Sequence, residues 1–401
     1  MRRSYLVCLL FPAICLFGLA AQAQSKPKLR AFTIVKPARD ASGNVVRPGE
    51  TTSSLATFTY NVTSSRDGNS YTGIMVGQDP FATGFTQTTV TTPIIPLIIT
   101  TNAVAIKLNK HGILAMVKGS TTFDPTATDT SCLSGPNDVP ETLFQQSPIF
   151  QDNDFVFGST DVGNTQYLDA FQRASFWQSV QGSDYHTLVN PVLLPPVTLN
   201  IGIAHALAIP PSLFGSCGSL GIIDTKTFDS ILSQTLLPQL AAQGIDTSQF
   251  PIFLMYNVVL STGNANNLNR CCVLGFHGAS GSPTQTYSPL DFDTTGLFGP
   301  TIHDTSIAAH EVGEWMDDPF GNNPTPAWGH TGQVGGCQNN LEVGDPLTGT
   351  NIPDVAGANG FTYHLQELAF FSWFYGAPSI AANGWFSDNN TFKTDAGPPC
   401  Q

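Results

Sequence analysis

Charged side chains are scarce in this 401-residue chain, and basic ones are the scarcest. They make up 11% of the sequence, with 16 Lys and Arg against 29 Asp and Glu, for a formal net charge of −13. Because so acidic a chain repels phosphate backbones, we expect no nucleic-acid partner. The abundance of Gly, Pro, Ser, Thr and Asn indicates a protein rich in strands and loops.

Long apolar runs are also missing, apart from one at the N-terminus. Arg2 and Arg3 precede an apolar run from Tyr5 to Ala20, and Ala21-Gln22-Ala23 follows as a small-x-small cleavage site. This order predicts an export signal over residues 1–23 rather than a membrane anchor. We therefore expect a secreted protein, extracellular or periplasmic, with no membrane span.

The chain has no Cys-x-x-Cys pair, so we expect no thiolate metal site. Six cysteines remain after the signal, which predicts up to three disulfides in an exported chain, and they allow 15 pairings. The six are Cys132, Cys217, Cys271, Cys272, Cys337 and Cys400. We expect Cys132 to pair with Cys217, and the adjacent cysteines 271 and 272 to pair with Cys337 and Cys400.

Hydrophobic patterns divide the chain into elements. Residues 88–100, TTVTTPIIPLIIT, are the strongest buried-strand candidate of the first half, and residues 160–180 have helical spacing. The second half reads strand, helix, strand, strand, edge strand, helix. The first five of these are residues 196–204, a helix over 224–244 capped by Asp224 and kinked at Pro238, strands at 250–261 and 271–278, and a proline-interrupted edge strand at 284–292.

The sixth element contains AAHEVGEWMDDP, residues 308–319. We expect Asp304 to cap this helix and Pro319 to end it. Projection at 100° per residue separates an apolar side, suited to packing on a sheet, from a polar side. The apolar side comprises Ala308, Val312, Trp315 and Met316, and the polar side His310, Glu311, Glu314, Asp317 and Asp318.

The polar side has the arrangement of a metal site. His310 and Glu314 are four residues apart, so their side chains lie one above the other and can share an ion. Asp317 and Asp318 lie in the last turn, where the helix dipole disfavours carboxylates. No Lys or Arg occurs between Arg270 and Lys393 to offset them. The alternative is a solvated acidic face with one histidine.

Further along the chain, Glu342 and Asp345 form a Glu-x-x-Asp pair. With the His-Glu-x-x-Glu helix, this pair resembles the glutamate-zincins, whose third ligand is a downstream Glu supported by an Asp. The resemblance implies His310 as first ligand, Glu311 as general base, Glu342 as third ligand and Asp345 as a supporting partner. Glu314 then occupies the place of the family's second histidine.

Other histidines remain open alternatives. His330 rivals Glu342 as third ligand, although a surface loop histidine is an equal reading. Tyr363 and His364 are candidates for the transition-state donor that such enzymes place after the third ligand, or for a structural pair of strand residues. His277 could face the cleft at the end of its predicted strand, but we expect it to be a satisfied core or rim histidine.

The resemblance implies an α/β (α+β) fold over residues 196–401: a zincin-like mixed twisted sheet with a backing helix and an active-site helix. A strand-rich region, residues 24–195, precedes it. The resemblance implies Zn²⁺ as the bound ion. Because two ligands are carboxylates, Mn²⁺, Fe²⁺ and Ca²⁺ compete with Zn²⁺ better than at a site with two histidines.

The function implied is hydrolysis of a protein or peptide substrate by metal-bound water that Glu311 deprotonates. Two alternatives stay open. One is a non-catalytic extracellular binding or structural protein on a zincin-like scaffold. The other is a glycosidase with Glu311 and Glu342 as its carboxylate pair. The sequence says nothing about oligomeric state.

Overall fold

A computed structural model describes residues 29–31, 34–39, 44–47, 50–133, 135, 137–332, 334–376, 381–398 and 400. The predicted export signal lies outside them. Strands contain 36% of the residues and helices 19%. A curled mixed sheet dominates the structure, and the predicted mixed α/β class is confirmed. The zincin-like topology stays a prediction. Within the described ranges, no helix has the length and apolarity needed to cross a membrane.

Strands occur throughout the described chain. They are β1 (Thr57–Thr63), β2 (Ser70–Val76), β3 (Gln87–Leu108), β4 (Leu114–Phe123), β5 (Asn153–Phe157), β6 (Thr160–Thr165), β7 (His186–Leu193), β8 (Val197–Ile201), β9 (Ala206–Ile209), β10 (Leu220–Asp224), β11 (Ile252–Tyr256), β12 (Val258–Ser261), β13 (Cys271–Val273), β14 (Gly278–Ser280), β15 (Gln285–Phe292), β16 (Pro324–Gly329), β17 (Cys337–Asn340), β18 (Val355–Ala356) and β19 (Thr362–Tyr363).

The helices are short apart from two. They are α1 (Pro140–Gln145), α2 (Tyr167–Ser175), α3 (Trp177–Val180), α4 (Pro211–Phe214), α5 (Thr225–Ile231), α6 (Leu237–Ala242), α7 (Ser306–Asp317) and α8 (Phe371–Tyr375). A π-helical turn joins α5 to α6 at Leu232–Leu236, and 3₁₀ turns occur at Leu268–Arg270, Asp345–Leu347 and Ala382–Gly384.

The long strand β3 organises the main sheet. Most of the sheet follows the order β13-β12-β10-β9-β3-β11-β15-β14, and β4, β7 and β8 pair with β3 as well. β3 contains the apolar run predicted at residues 88–100, and the isoleucines there are almost all buried. Because β3 pairs with β8, β9 and β11, strands from both sides of residue 195 share one sheet.

Two of the predicted strands differ from the observed ones for local reasons. The run at 250–261 is broken at Asn257, whose φ of 53° lies in the left-handed region that Asn tolerates. Its side-chain Oδ1 accepts a hydrogen bond from Thr294 N at 2.6 Å, which holds the bend between β11 and β12. The predicted edge strand β15 is wrong as an edge, because it lies between β11 and β14. Pro289 removes one donor there, but its carbonyl still accepts from Phe276 N at 3.2 Å.

The predicted helices are largely present. Asp224 caps α5 by accepting from Thr227 N at 2.8 Å, as expected. The irregularity before Pro238 is a π-helical turn, consistent with a proline that cannot donate a helical hydrogen bond. The predicted helix at 160–180 begins later, because residues 160–165 form β6, and it continues as α2 and α3.

One disulfide prediction is confirmed and the other is wrong. Cys132 bonds Cys217, but Cys271 bonds its neighbour Cys272, and Cys337 bonds Cys400. The reason is burial: Cys271 and Cys272 are buried within β13, whereas Cys337 is exposed at the start of β17. The two sets of thiols therefore cannot meet.

The helix α7 is enclosed by the main sheet and neighbouring elements. It packs against β15, β2 and α2, and all twelve of its residues are buried. Trp315 stacks on Phe250 with ring centroids 3.8 Å apart, and its Nε1 donates to Thr286 Oγ1 at 3.2 Å. The apolar side behaves as predicted. The solvated-acid reading of the polar side is wrong, since that side is buried too.

The predicted Asp304 cap is also wrong. The helix begins at Ser306 with Thr305 at its N-cap and no capping side-chain bond. The Asp304 carboxylate instead accepts from His364, at 3.1 Å from its backbone N and 2.6 Å from its Nδ1. A φ of 39° at Asp304 turns the chain into the helix.

Candidate metal centre

Helix α7 presents three polar side chains to one small region. His310, Glu311 and Glu314 are at most 7% exposed. The i, i+4 pair is in contact as the spacing predicts: His310 Nε2 lies 3.1 Å from Glu314 Oε1. The helical period therefore places the predicted ligands His310 and Glu314 side by side.

The segment after β17 closes on this helix. The backbone N of Gly344 and of Asp345 donate to Glu314 Oε1 at 3.2 and 3.1 Å. Asp345 Oδ1 lies 3.3 Å from His310 Nε2. The segment is a loop with a 3₁₀ turn, and it places Asp345, not Glu342, beside His310. This corrects the arrangement that the family resemblance implies.

His277 is a buried, hydrogen-bonded histidine, as expected, and it also lies inside the cluster. Its Nδ1 is 3.6 Å from Glu314 Oε2 and 3.7 Å from Glu311 Oε2, and its Nε2 is 3.7 Å from Glu342 Oε2. It is 4% exposed. The chain brings it from the turn between β13 and β14, so no short motif connects it with α7.

Both histidines are oriented by carbonyl oxygens. Nε2 of His277 donates to the Asp318 carbonyl at 3.0 Å, which leaves Nδ1 facing Glu311 and Glu314. Nδ1 of His310 donates to Gln366 Oε1 at 3.1 Å, and Gln366 Nε2 donates to the Gly344 carbonyl at 2.6 Å, which fixes the amide's orientation. The Nε2 lone pair of His310 then faces Glu314 and Asp345. Such outer partners fix the tautomer of ligand histidines. Sequence reasoning missed Gln366, which no spacing pattern marks.

Two carboxylate oxygens in the cluster lack a hydrogen-bond partner among the described residues. They are Glu342 Oε2 and Asp345 Oδ1, both fully enclosed. The second oxygen of each group is held, Glu342 Oε1 by Asn340 Nδ2 and Asp345 Oδ2 by Gln338 Nε2. Because an unsatisfied buried carboxylate oxygen is costly, each of these atoms points to an absent cation or donor.

The cluster supplies two groups of possible ligands. One is His310, Glu314 and Asp345, and the other is His277, Glu314 and Glu342. Within each group, one ligand atom per residue lies within 4.8 Å of the others. All of the predicted metal residues therefore occur in these groups, and Glu314 belongs to both.

The groups perturb one another strongly. Burial raises the pKa of Glu342 well above its usual value and also raises the pKa of Glu311 and Asp345. Burial would raise the pKa of Glu314 as well, but His310 and His277 hold it far below its usual range. Burial alone would lower the pKa of each histidine, and the surrounding carboxylates instead raise it. Such opposed shifts are typical of functional sites.

A small cavity reaches the cluster. Its volume is about 40 Å³, enough for an ion with one or two waters. Its polar lining consists of His310, Glu311, Glu314, Asp345 and Gln366, with Ser306 and Thr348. Ala31 and Ile34, from the N-terminal segment, complete the wall beside Leu274, Gly275, Ile302 and Ile307.

Two glycines make room for the polar side chains. A Cβ on Gly344 would lie 2.7 Å from Cγ and Nδ1 of His310. A Cβ on Gly275 would lie 2.9 Å from Ile307 and 3.0 Å from Cγ of Glu311. Real Cβ atoms essentially never approach closer than 3.0 Å, so the position of His310 requires Gly344, and a Cβ at position 275 would displace Ile307 and crowd Glu311.

The remaining predicted residues have other contacts. The Tyr363 hydroxyl donates to the Leu143 carbonyl at 2.9 Å, and His364 pairs with Asp304 and stacks on His303 at 3.7 Å. Neither Tyr363 nor His364 lines the cavity. Nδ1 of His330 lies 3.0 Å from the Asp345 carbonyl, so its ring is held against the loop backbone.

No family model, no curated protein and no solved structure matches this chain. The likeness to the glutamate-zincins thus rests on the motif residues, and any function has to be argued from the site.

Proposed function

We propose that this protein is a metal-dependent hydrolase that cleaves amide bonds in protein or peptide substrates. Zn²⁺ is the first candidate ion. The observation that carries the proposal is one cavity lined together by the oriented imidazole of His310, the Asp345 carboxylate with its partnerless oxygen, and Glu311. Disulfides fit the secreted location that the proposal assumes.

The spacing of the ligand atoms supports a cation. The imidazole nitrogens are 3.1–3.7 Å from carboxylate oxygens, and most of these distances are too long for good hydrogen bonds. They are also too short for a water molecule between the atoms. Ligands about 2.0–2.2 Å from one ion are separated by roughly 3.0–3.6 Å, close to the observed distances. An ion between them removes the lone-pair repulsion.

The chain's own residues would perform the proton chemistry. A bound divalent cation acidifies water and polarises a carbonyl. Glu311 projects into the same cavity, and its raised pKa suits a group that takes a proton from water and returns it to the leaving amine. Because Glu314 and Asp345 are carboxylates, the site is harder than one with two imidazoles, and Mn²⁺, Fe²⁺ and Ca²⁺ compete better with Zn²⁺.

A second candidate function is a structural cation in a non-catalytic extracellular protein. The observation that favours it is enclosure: the ligands are at most 7% exposed, and Ala31 and Ile34 cover a cavity too small for a peptide. Hydrolysis of a peptide requires the N-terminal segment to move away from α7. A structural ion requires no such movement.

The deciding experiment measures metal and hydrolysis in the same variants. Wild-type protein, Glu311→Gln and the control Glu141→Gln are assayed for bound metal by mass spectrometry and for cleavage of a broad peptide library. The hydrolase predicts retained metal in all three, and about a 10²–10⁴-fold loss of cleavage only in Glu311→Gln. Stoichiometric metal with no cleavage by the wild type, even after trimming of the N-terminal segment, supports the structural ion. A native protein without metal contradicts both functions.

A further inference from the structure

We propose that the cluster binds two divalent cations and that Glu314 bridges them. One ion lies among His310, Glu314 and Asp345, and the other among His277, Glu314 and Glu342. The inference rests on the metal centre described above, and it holds whether or not the protein hydrolyses peptides.

The two oxygens of Glu314 face different histidines. Oε1 is 3.1 Å from His310 Nε2, and Oε2 is 3.6 Å from His277 Nδ1. A single ion would occupy one of these gaps and leave the other as an unrelieved contact between a lone pair and a carboxylate. A bridging carboxylate uses both oxygens, and it holds two ions about 3.5–4 Å apart.

Each position has its own partnerless oxygen. Asp345 Oδ1 belongs to the position of His310, 3.3 Å from its Nε2, and Glu342 Oε2 belongs to the position of His277, in the same group of possible ligands. Both residues are 2% exposed. Asn340 and Gln338 hold the opposite oxygens, so each carboxylate is aimed with one free oxygen into the cluster. The second position therefore also offers a buried carboxylate oxygen to an ion.

The charges also match two ions. Glu311, Glu314, Glu342 and Asp345 carry four negative charges when ionised, and their ion pairs among the described residues are with histidines. With both histidines neutral as ligands, one divalent cation leaves two buried negative charges uncompensated, whereas two cations balance all four. Since an uncompensated buried carboxylate costs several kcal/mol, the balanced state is favoured.

The test titrates the full mature chain, stripped of metal, with Mn²⁺. Bound Mn²⁺ is counted by mass spectrometry and examined by electron paramagnetic resonance, because two ions that share a carboxylate couple magnetically. We expect two ions per chain and a coupled spectrum. One ion per chain with the spectrum of isolated Mn²⁺ overturns the inference.

Isosteric variants assign the two positions. Glu342→Gln and Asp345→Asn each remove one ligand from a different position, so each is expected to bind one Mn²⁺ and to lose the coupling. Glu314→Gln removes the shared ligand and is expected to weaken both. Glu141→Gln is the control and keeps two coupled ions. Circular dichroism verifies that each variant folds; if one does not, His277→Gln replaces Glu342→Gln and His310→Gln replaces Asp345→Asn.

The outcomes separate this inference from the proposed hydrolase. Two coupled ions without peptide cleavage contradict the hydrolase and leave the bridged pair standing. One ion with cleavage that depends on Glu311 contradicts the bridged pair and leaves the hydrolase standing. If Glu342→Gln leaves two coupled ions in place, the position beside His277 is wrong.

Discussion

The substitution Gly344→Ala offers a sharp test of the metal centre because it adds one carbon and no charge. Gly344 has φ −85° and ψ −36°, a conformation that alanine adopts without strain. Any effect must therefore come from the added Cβ. That atom would lie 2.7 Å from two atoms of the His310 ring, where ordinary contact begins at 3.4 Å. Ring or backbone must then move by about 0.7 Å, the difference between these two distances.

Neither group can move without damage to the site. The His310 ring is held by Gln366, and the Gly344 backbone donates to Glu314 and accepts from the same Gln366. Metal–ligand distances tolerate only about 0.2 Å. We expect metal affinity to fall at least as far as on loss of an orienting partner, about 10–100-fold or roughly 1.4–2.7 kcal/mol.

Competition with a chromogenic chelator measures the affinity of each variant for Zn²⁺ and Mn²⁺. Gly202→Ala is the matched control, because a Cβ there has no heavy atom within 4 Å. Thermal unfolding of the metal-free proteins shows whether Gly344→Ala acts on the fold or on the site. Wild-type affinity in Gly344→Ala would refute the packing of the loop against His310.

Three further results are expected. Removal of metal by a chelator should lower the melting temperature by several degrees in scanning calorimetry, since ions at 100 times their Kd contribute about 2.7 kcal/mol; an unchanged transition argues against a bound ion. Burial would raise the pKa of Asp304, but hydrogen bonds from His303 and His364 lower it below its usual value. Its contribution is present above the unfolded pKa and is lost as the pH falls through the folded one. Asp304→Asn should therefore lower the free energy of unfolding by roughly 1.5–3 kcal/mol at pH 7, and by progressively less as the pH falls. Urea denaturation over a series of pH values measures this, and a loss that does not change with pH contradicts it. Trp315→Ala should cost about 3–5 kcal/mol in the same melts because its stack on Phe250 is fully buried; a cost below 1 kcal/mol would contradict that packing.

Local patterns predict the elements of this fold better than their arrangement. The apolar run within β3 and the Asp224 cap follow from side-chain chemistry within a few residues. Apart from the adjacent β4, the partners of β3 do not, because β7, β8, β9 and β11 reach it from distant parts of the chain. The proline in β15 illustrates the limit: it indicates an edge, but the alignment of β11 and β14 on either side determines the outcome.

The same limit applies to the site. His310, Glu311 and Glu314 follow from the period of one helix, and the Glu-x-x-Asp pair supplies Glu342 and Asp345. His277 and Gln366 come from elsewhere, 41 residues before Asp318 and 56 residues after His310. Nothing in their neighbourhoods signals a ligand or an orienting residue. Tertiary packing alone decides that His277 faces three carboxylates.

Glutamate at the fifth position of the motif has a consequence that histidine would not have. A neutral imidazole with one nitrogen on an ion carries its proton on the other nitrogen, so it serves a single ion. The Glu314 carboxylate has two equivalent oxygens, and they face His310 on one side and His277 on the other. Replacement by histidine therefore removes the only group that contacts both histidines in the described structure. Glu314 is better understood as the residue that joins two positions than as a weaker copy of a zinc-binding histidine.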